Sequence, residues 1–315
     1  MMNIESLHES YLTDCVPRVC LCGRATSVTV KKGDRYGLPI NYALCLNCGH
    51  VYTKNVLADQ RISEFYGSSL YRTMYTGGAS PEETITRKTP ARGSTSQLLE
   101  LTRNVLHVDK GNVLEWGCGG GWNLVPFMDA GYQTIGVDFD AVYVSAGSKL
   151  NGLDLRRVED DTISQLSKTE FNIIILNHVL EHSFDPLSLL MNLRKLCSSG
   201  TFLIVGLPTL ESMKIWGYSD YFHIAHLDYF CRSSFVRLAA KAGFKCIYEE
   251  VPKGLFVLVP AEVRDIKVSR KSVISSAFMI FKSWLNWFAK QQVRRFARIT
   301  KTENILRSIV RKIRK

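Results

Sequence analysis

The sequence has no uncharged apolar run of the roughly 18 residues that a membrane-spanning helix needs, so no such helix is expected. Its start has no apolar h-region, and Glu5 and Glu9 interrupt it; the expectation is a chain without a signal peptide in a reducing cytosol. Nine cysteines among 315 residues are too few for a disulfide scaffold, and no internal repeat is visible. With 46% hydrophobic and 22% charged residues, the chain is neither disordered nor collagen-like. Its length suits about two domains around a sizeable core.

Excess charge is also missing from most of the chain. The net charge is +11, yet residues 264–315 hold 15 Lys and Arg against only Asp265 and Glu303. The remaining 263 residues are close to neutral. An enzyme acting on nucleic acid carries its positive charge around its cleft, whereas here it is an appendage. Nucleic acid is therefore not the expected partner.

Residues 1–60 are rich in cysteine and turn residues, with strand-like stretches at 27–30 and 42–44. In 61–93, Tyr66, Tyr71 and Tyr75 recur among Ser and Gly before Gly77, Gly78 and Pro81 break the pattern; this reads as a connecting arm. A helix is expected over 94–106. From there strands at 112–116, 132–138, 171–177, 201–206, 244–249 and 255–259 alternate with helices at 186–197 and 233–242. The run Ile173-Ile174-Ile175 suggests a strand covered on both faces. Such alternation predicts a mostly parallel sheet with helices on both sides, over 94–263.

The central signal is Glu115-Trp116-Gly117-Cys118-Gly119-Gly120-Gly121, a strand that runs into glycines. Glycine permits a tight turn and close approach of a ligand to the backbone, and the following helix start offers free N–H groups. Asp138 ends the next strand, where a carboxylate can accept from both hydroxyls of a ribose. A dinucleotide fingerprint would need glycine at 122, but Trp122 stands there. Glu115, just before the turn, suits a cationic ligand better than a pyrophosphate. Both point away from NAD and towards S-adenosylmethionine.

This stretch resembles motif I of the class I S-adenosylmethionine-dependent methyltransferases. Residues 158–161, Val-Glu-Asp-Asp, are similar to that family's acidic adenine-contacting loop; 171–182, ending His-Val-Leu-Glu-His, to its fourth strand; and 199–208 to its fifth-strand segment. The resemblance runs over about 94–260, with the blocks in family order. It implies a Rossmann-like, seven-stranded, mostly parallel sheet. It also implies that Glu115, Gly117, Gly119, Gly121, Asp138, Asp160 and Asn177 hold the cofactor, with Asp161 as the alternative to Asp160.

If the methyl acceptor is a hydroxyl, a histidine can serve as base. His178, His182, His223 and His226 are the candidates, and His226 and His182 are preferred. The His-Val-Leu-Glu-His order does not match the zinc-protease pattern. Residues 218–230 are dense in aromatic side chains, and the resemblance implies that they cover the acceptor.

Cys20 and Cys22, then Cys45 and Cys48, form two short knuckles, each with a glycine after its second cysteine. Four such thiolates suit a closed structural zinc site, with Cys15 or His50 as alternative ligands. A zinc-knuckle domain before a class I core resembles bacterial methyltransferases of sugar and polysaccharide modification, which implies a small-molecule, sugar or glycan-linked acceptor.

In 264–315, Ile274, Phe278, Phe281, Leu285 and Phe288 fall on one helical face, with Trp284 and Trp287 nearby and basic residues such as Arg294, Arg295, Arg298, Arg311 and Lys312 around them. A basic amphipathic helix at the inner face of a membrane is expected; packing on the core or on a second subunit is the alternative. The rival readings of the whole are an NAD-dependent oxidoreductase, or a non-catalytic scaffold that binds lipid or nucleic acid.

Overall fold

The structure, a computed structural model, describes residues 3–58, 61, 64–65, 69–213 and 217–299. Tyr66 and residues 300–315, with Arg311 and Lys312, lie outside the described residues; Arg294, Arg295 and Arg298 are described by backbone alone.

The N-terminal part holds α1 (Ile4–Thr13), β1 (Cys15–Pro17), β2 (Ser27–Lys32), β3 (Asn41–Cys45), β4 (Val51–Thr53) and β5 (Asn55–Leu57). Then come α2 (Ser69–Thr76), α3 (Pro81–Lys88) and α4 (Gln97–Glu100). The core runs β6 (Asn112–Trp116), α5 (Val125–Asp129), β7 (Gln133–Asp138), α6 (Ala141–Asn151), β8 (Asp154–Arg157), α7 (Thr162–Leu166), β9 (Ile173–Asn177), α8 (Pro186–Arg194) and β10 (Phe202–Gly206). It closes with α9 (Tyr218–Tyr221), β11 (Asp228–Tyr229), α10 (Arg232–Lys241), β12 (Phe244–Glu250) and β13 (Leu255–Pro260), before the terminal α11 (Arg270–Ile299).

The expected seven-stranded sheet is present, in the order β12-β13-β10-β9-β6-β7-β8. Its strands from β6 to β10 are parallel to their neighbours, while β13 is antiparallel to both β10 and β12. The isoleucine run of β9 is covered on both faces. Ile174 and Leu176 join the apolar layer of Phe235 and Leu193, and Ile173 and Ile175 join that of Phe127 and Leu124. A period of two sends alternate side chains to opposite sides, so only an all-apolar strand suits this position. Strand order reverses between β6 and β9. In open parallel sheets that crevice, beyond the C-terminal strand ends, is where ligands bind.

Three local departures from the sequence expectation have physical causes. The helix expected over 94–106 is α4 followed by a π-helical turn, Leu101–Val105, because the Thr102 hydroxyl donates to the Leu98 carbonyl at 2.8 Å and disturbs the ladder. Around the glycines of 61–93 stand two helices. Pro81 occupies the first turn of α3, after the Ser80–Glu83 capping box, so it starts a helix rather than breaking one. Strand β8 reads as charged because it is an edge strand with only Leu155 buried.

The second sheet joins β2, β3 and β4 to β11, which comes from far along the chain. Its apolar layer combines Leu7, Tyr42 and Leu44 with Phe222, Tyr229 and Ile280. The aromatic segment 218–230 therefore packs largely inward. Phe222 and Tyr229 are fully buried against Tyr42, with ring centroids 4.8 and 5.5 Å away. These two rings form core. Helix α11 docks on this layer through Ser276, Ile280 and Ser283, which are buried. The face expected to carry its function, Ile274, Phe278, Phe281, Leu285 and Phe288, is turned outwards. Among the described residues no helix is long and apolar enough to cross a membrane.

Candidate active site and cysteine cluster

Strand β6 delivers Glu115 and the glycine turn to the crevice. Gly117 has φ +79°, and a side chain there would collide with Val179, so the turn lies directly against the segment that leaves β9. At the end of β7, Asp138 accepts from the Gly119 N–H at 2.7 Å and from the Asp140 N–H at 2.9 Å. These two donors fix its carboxylate beside the glycines. Burial pushes the Asp138 carboxyl above its ordinary range, against those hydrogen bonds. Glu115 is fully buried; its Oε1 accepts from Asn123 at 2.7 Å, while Oε2 has no partner. Burial pushes its carboxyl up to about 8, the Asn123 bond opposes this and the charge of Asp138 adds to it. A buried carboxylate oxygen without a partner, beside the glycine turn, suits a cation. These acceptors fit the ammonium and ribose hydroxyls of S-adenosylmethionine, and their negative charge would oppose a pyrophosphate.

Asn177 ends β9 and fills the space that Gly206 of β10 leaves open. Asp160 is exposed in the turn after β8, and its neighbour Asp161 accepts from Gln165 at 2.7 Å. Trp122 lies beside Gly119, with the Lys88 ammonium 4.4 Å from its ring centroid.

Beyond β9 stands a cluster of histidines around Glu181. His178 follows the strand with φ +55°, rare for a non-glycine residue, and its N–H donates to the Gly206 carbonyl at 2.7 Å. Its Nδ1 is 3.3 Å from Glu181 Oε1, an interaction that holds this imidazole above its usual pKa. His182 Nε2 and His226 Nε2 are each 3.9 Å from the same oxygen. Glu181 itself is fully buried. His182 Nδ1 pairs with the Ala225 carbonyl at 2.7 Å, which places a proton on Nδ1 and leaves Nε2 as the basic atom. Burial, with His223 next, holds His226 neutral, well below its ordinary pKa. One ligand atom each from Glu181, His182 and His226 lie within 4.8 Å of one another.

The sequence reading missed two tyrosines of α2. Tyr75 Oη is 2.9 Å from His223 Nδ1, and the rings of His223 and His226 are 3.8 Å apart. Burial pushes the Tyr71 phenol up to about 12, with the charge of Asp138 as the next cause. Helix α2 thus reaches the histidine side directly, through Tyr75. The available signal was the four-residue spacing of Tyr71 and Tyr75, which puts both on one helical face.

The four knuckle cysteines converge, all sulfurs lying within 4.8 Å of one another. Cys20 and Cys48 are 3.4 Å apart, Cys22 and Cys45 3.6 Å. A tetrahedral zinc with bonds of about 2.3 Å needs sulfurs about 3.8 Å apart, so the donor set fits that ion. Cys15 and His50 are not part of this four-sulfur cluster: Asn55 donates to Cys15 at 3.8 Å, and His50 Nε2 pairs with Asp228 at 2.8 Å.

Residues 91–249 match a protein family described as methyltransferase domain, about half of the chain. No curated protein matches the chain. Among solved structures it is similar to the PH0226 protein of Pyrococcus horikoshii, with 19% identity over 52% of this chain and 87% of that one, TM-score 0.43. It is also similar to 1,6-didemethyltoxoflavin-N1-methyltransferase of Burkholderia thailandensis, with 15% identity over 69% and 96%, TM-score 0.42. The calicheamicin-biosynthesis methyltransferase CalO1 gives 17% identity over 64% and 61%, TM-score 0.42.

Proposed function

Taking as premise that the chain belongs to the methyltransferase-domain family and is an S-adenosylmethionine-dependent methyltransferase, we propose that it methylates a hydroxyl of a small-molecule, sugar or glycan-linked acceptor. The observation that carries this reading is the contact between the Gly117 turn and Val179, which sets a cation-seeking carboxylate pair beside a histidine cluster. The family match sets the oxidoreductase reading aside.

Glu115, Gly117, Gly119, Gly121, Asp138, Asp160 and Asn177 would hold the cofactor. When bound, that group supplies a methyl on a positively charged sulfur. The protein's part is to position the acceptor oxygen and take its proton. His182 suits that role: Nε2 accepts the hydroxyl proton, Nδ1–H stays on the Ala225 carbonyl, and Glu181 offsets the positive charge formed on the ring. His226, neutral and deeper, supports the same carboxylate. Four cysteine thiolates would hold zinc as a structural ion, fixing the sheet that backs the histidine loop: the Thr53 hydroxyl donates to the His226 carbonyl at 2.9 Å.

The test is calorimetric titration of the purified protein with S-adenosylhomocysteine and, separately, with NAD. Mass spectrometry of sugar and glycan extracts from cells with and without the protein follows. A gain of one methyl on a hydroxyl supports the reading. Affinity for NAD alone, or methylation confined to nitrogen or carbon, overturns it.

A further inference from the structure

We propose that α11 rests on an anionic lipid surface, its outward aromatic face at the headgroup boundary. Helix α11 has two opposed sides. Ser276, Ile280 and Ser283 are buried, and Trp287 packs against Tyr218 at 6.0 Å between centroids. At 100° per residue Ile274, Phe278, Phe281, Leu285 and Phe288 lie on the side turned away from these four, with Trp284 at its margin. All six of those are exposed, Ile274 and Phe278 by 68% and 62%. Phe281 and Trp284 stack at 6.0 Å, and Trp284 and Phe288 at 5.5 Å, which makes one continuous aromatic ridge. An apolar stripe of this size on a soluble face marks an interaction surface.

Charge identifies the occupant. Lys271 and Lys282 border the stripe, Arg270 and Lys290 are also exposed, and no acidic residue stands between Asp265 and Glu303. A second copy of the chain would bring the same uncompensated positive charge to the same stripe. A sheet of anionic headgroups over acyl chains matches both features, and aromatic rings with flanking lysines suit that boundary. The helix is too polar to span. It is also firmly mounted: at Gly49, beside the cysteine cluster, a side chain would stand 2.7 Å from the Ser272 carbonyl oxygen, and the Ser276 hydroxyl is 3.5 Å from Cys231 Sγ. The ridge is therefore presented in a fixed orientation.

The experiment is co-sedimentation of the full chain with vesicles of equal parts phosphatidylcholine and phosphatidylglycerol, and with vesicles of phosphatidylcholine alone. The protein should pellet with the first and much less with the second, and salt should weaken the binding. The double variant Phe281→Glu, Trp284→Glu should lose about tenfold or more in affinity. Lys271→Gln with Lys282→Gln should bind weakly without losing the ridge. Unchanged S-adenosylhomocysteine affinity in both variants shows that they fold. The proposal is overturned if the full chain stays in solution with the anionic vesicles. It is equally overturned if the protein is a dimer that the Phe281→Glu, Trp284→Glu variant splits, since a second copy would then cover the ridge.

Discussion

Arg18 closes a two-point ion pair on Asp228, with Nη2 to Oδ2 at 2.7 Å and Nη1 to Oδ1 at 3.1 Å. Asp228 is fully buried, and His50 holds its Oδ1 as well. Burial would raise its carboxyl, but His50 and Arg18 outweigh this and hold it below the ordinary value. A depressed carboxyl stabilises the fold above the ordinary carboxylate pKa, near 4, and that stability is lost as pH falls through its own lower value. Removing one partner leaves the other buried and unpaired, so Asp228→Asn should cost about 3–5 kcal/mol. Urea unfolding across a pH series measures this; the acid limb should be shallower in the variant.

Cofactor binding should expel a proton. The Glu115 carboxyl sits at about 8 in the free protein, held there mainly by burial. A raised carboxyl favours the fold below its ordinary range, near 4, and this gain is lost as pH climbs through about 8. A cationic ligand stabilises the ionised form, so affinity should rise with pH between these limits. Calorimetry in buffers of unequal ionisation heat should register proton release at neutral pH, and Glu115→Gln should abolish it.

His182→Ala should lower kcat by about 10²–10⁴-fold, the usual range for a general base. The affinity for S-adenosylhomocysteine should hold, because that residue is assigned to the acceptor's proton. A parallel loss of cofactor affinity would show that His182 shapes the cofactor pocket instead.

Cys45→Ser should remove bound zinc, measured as metal per chain, and lower the urea midpoint of the N-terminal sheet. Chelation of the unmodified protein should produce the same shift. Equal metal content in the variant would count against a four-thiolate site.

The sequence carries the parallel sheet plainly because burial on both faces leaves apolar runs such as Ile173-Ile174-Ile175. Glycines, Asp138 and the knuckle cysteines were legible for a similar reason: each needs a specific residue type at a local spacing. What stayed hidden depends on distant contacts. No local pattern shows that Ile280 rather than Phe278 meets the core, since both lie on plausible helical faces. Tyr75 meets His223 across 148 positions of sequence. The aromatic density of 218–230 was visible, but its direction was set by Tyr42, on another sheet altogether.

Strand β11 completes a sheet whose other members lie in the first 53 residues. During synthesis, Val51 and Tyr52 leave the ribosome long before Asp228 and Tyr229 exist. The open edge of β4 must wait unpaired while most of the catalytic core is made. Non-local pairing of this kind is slow to form and exposes nascent chains to association. The early half of the polypeptide therefore reaches its final state only after the later half has been translated, and a gene fragment ending before codon 228 would yield an edge-exposed product.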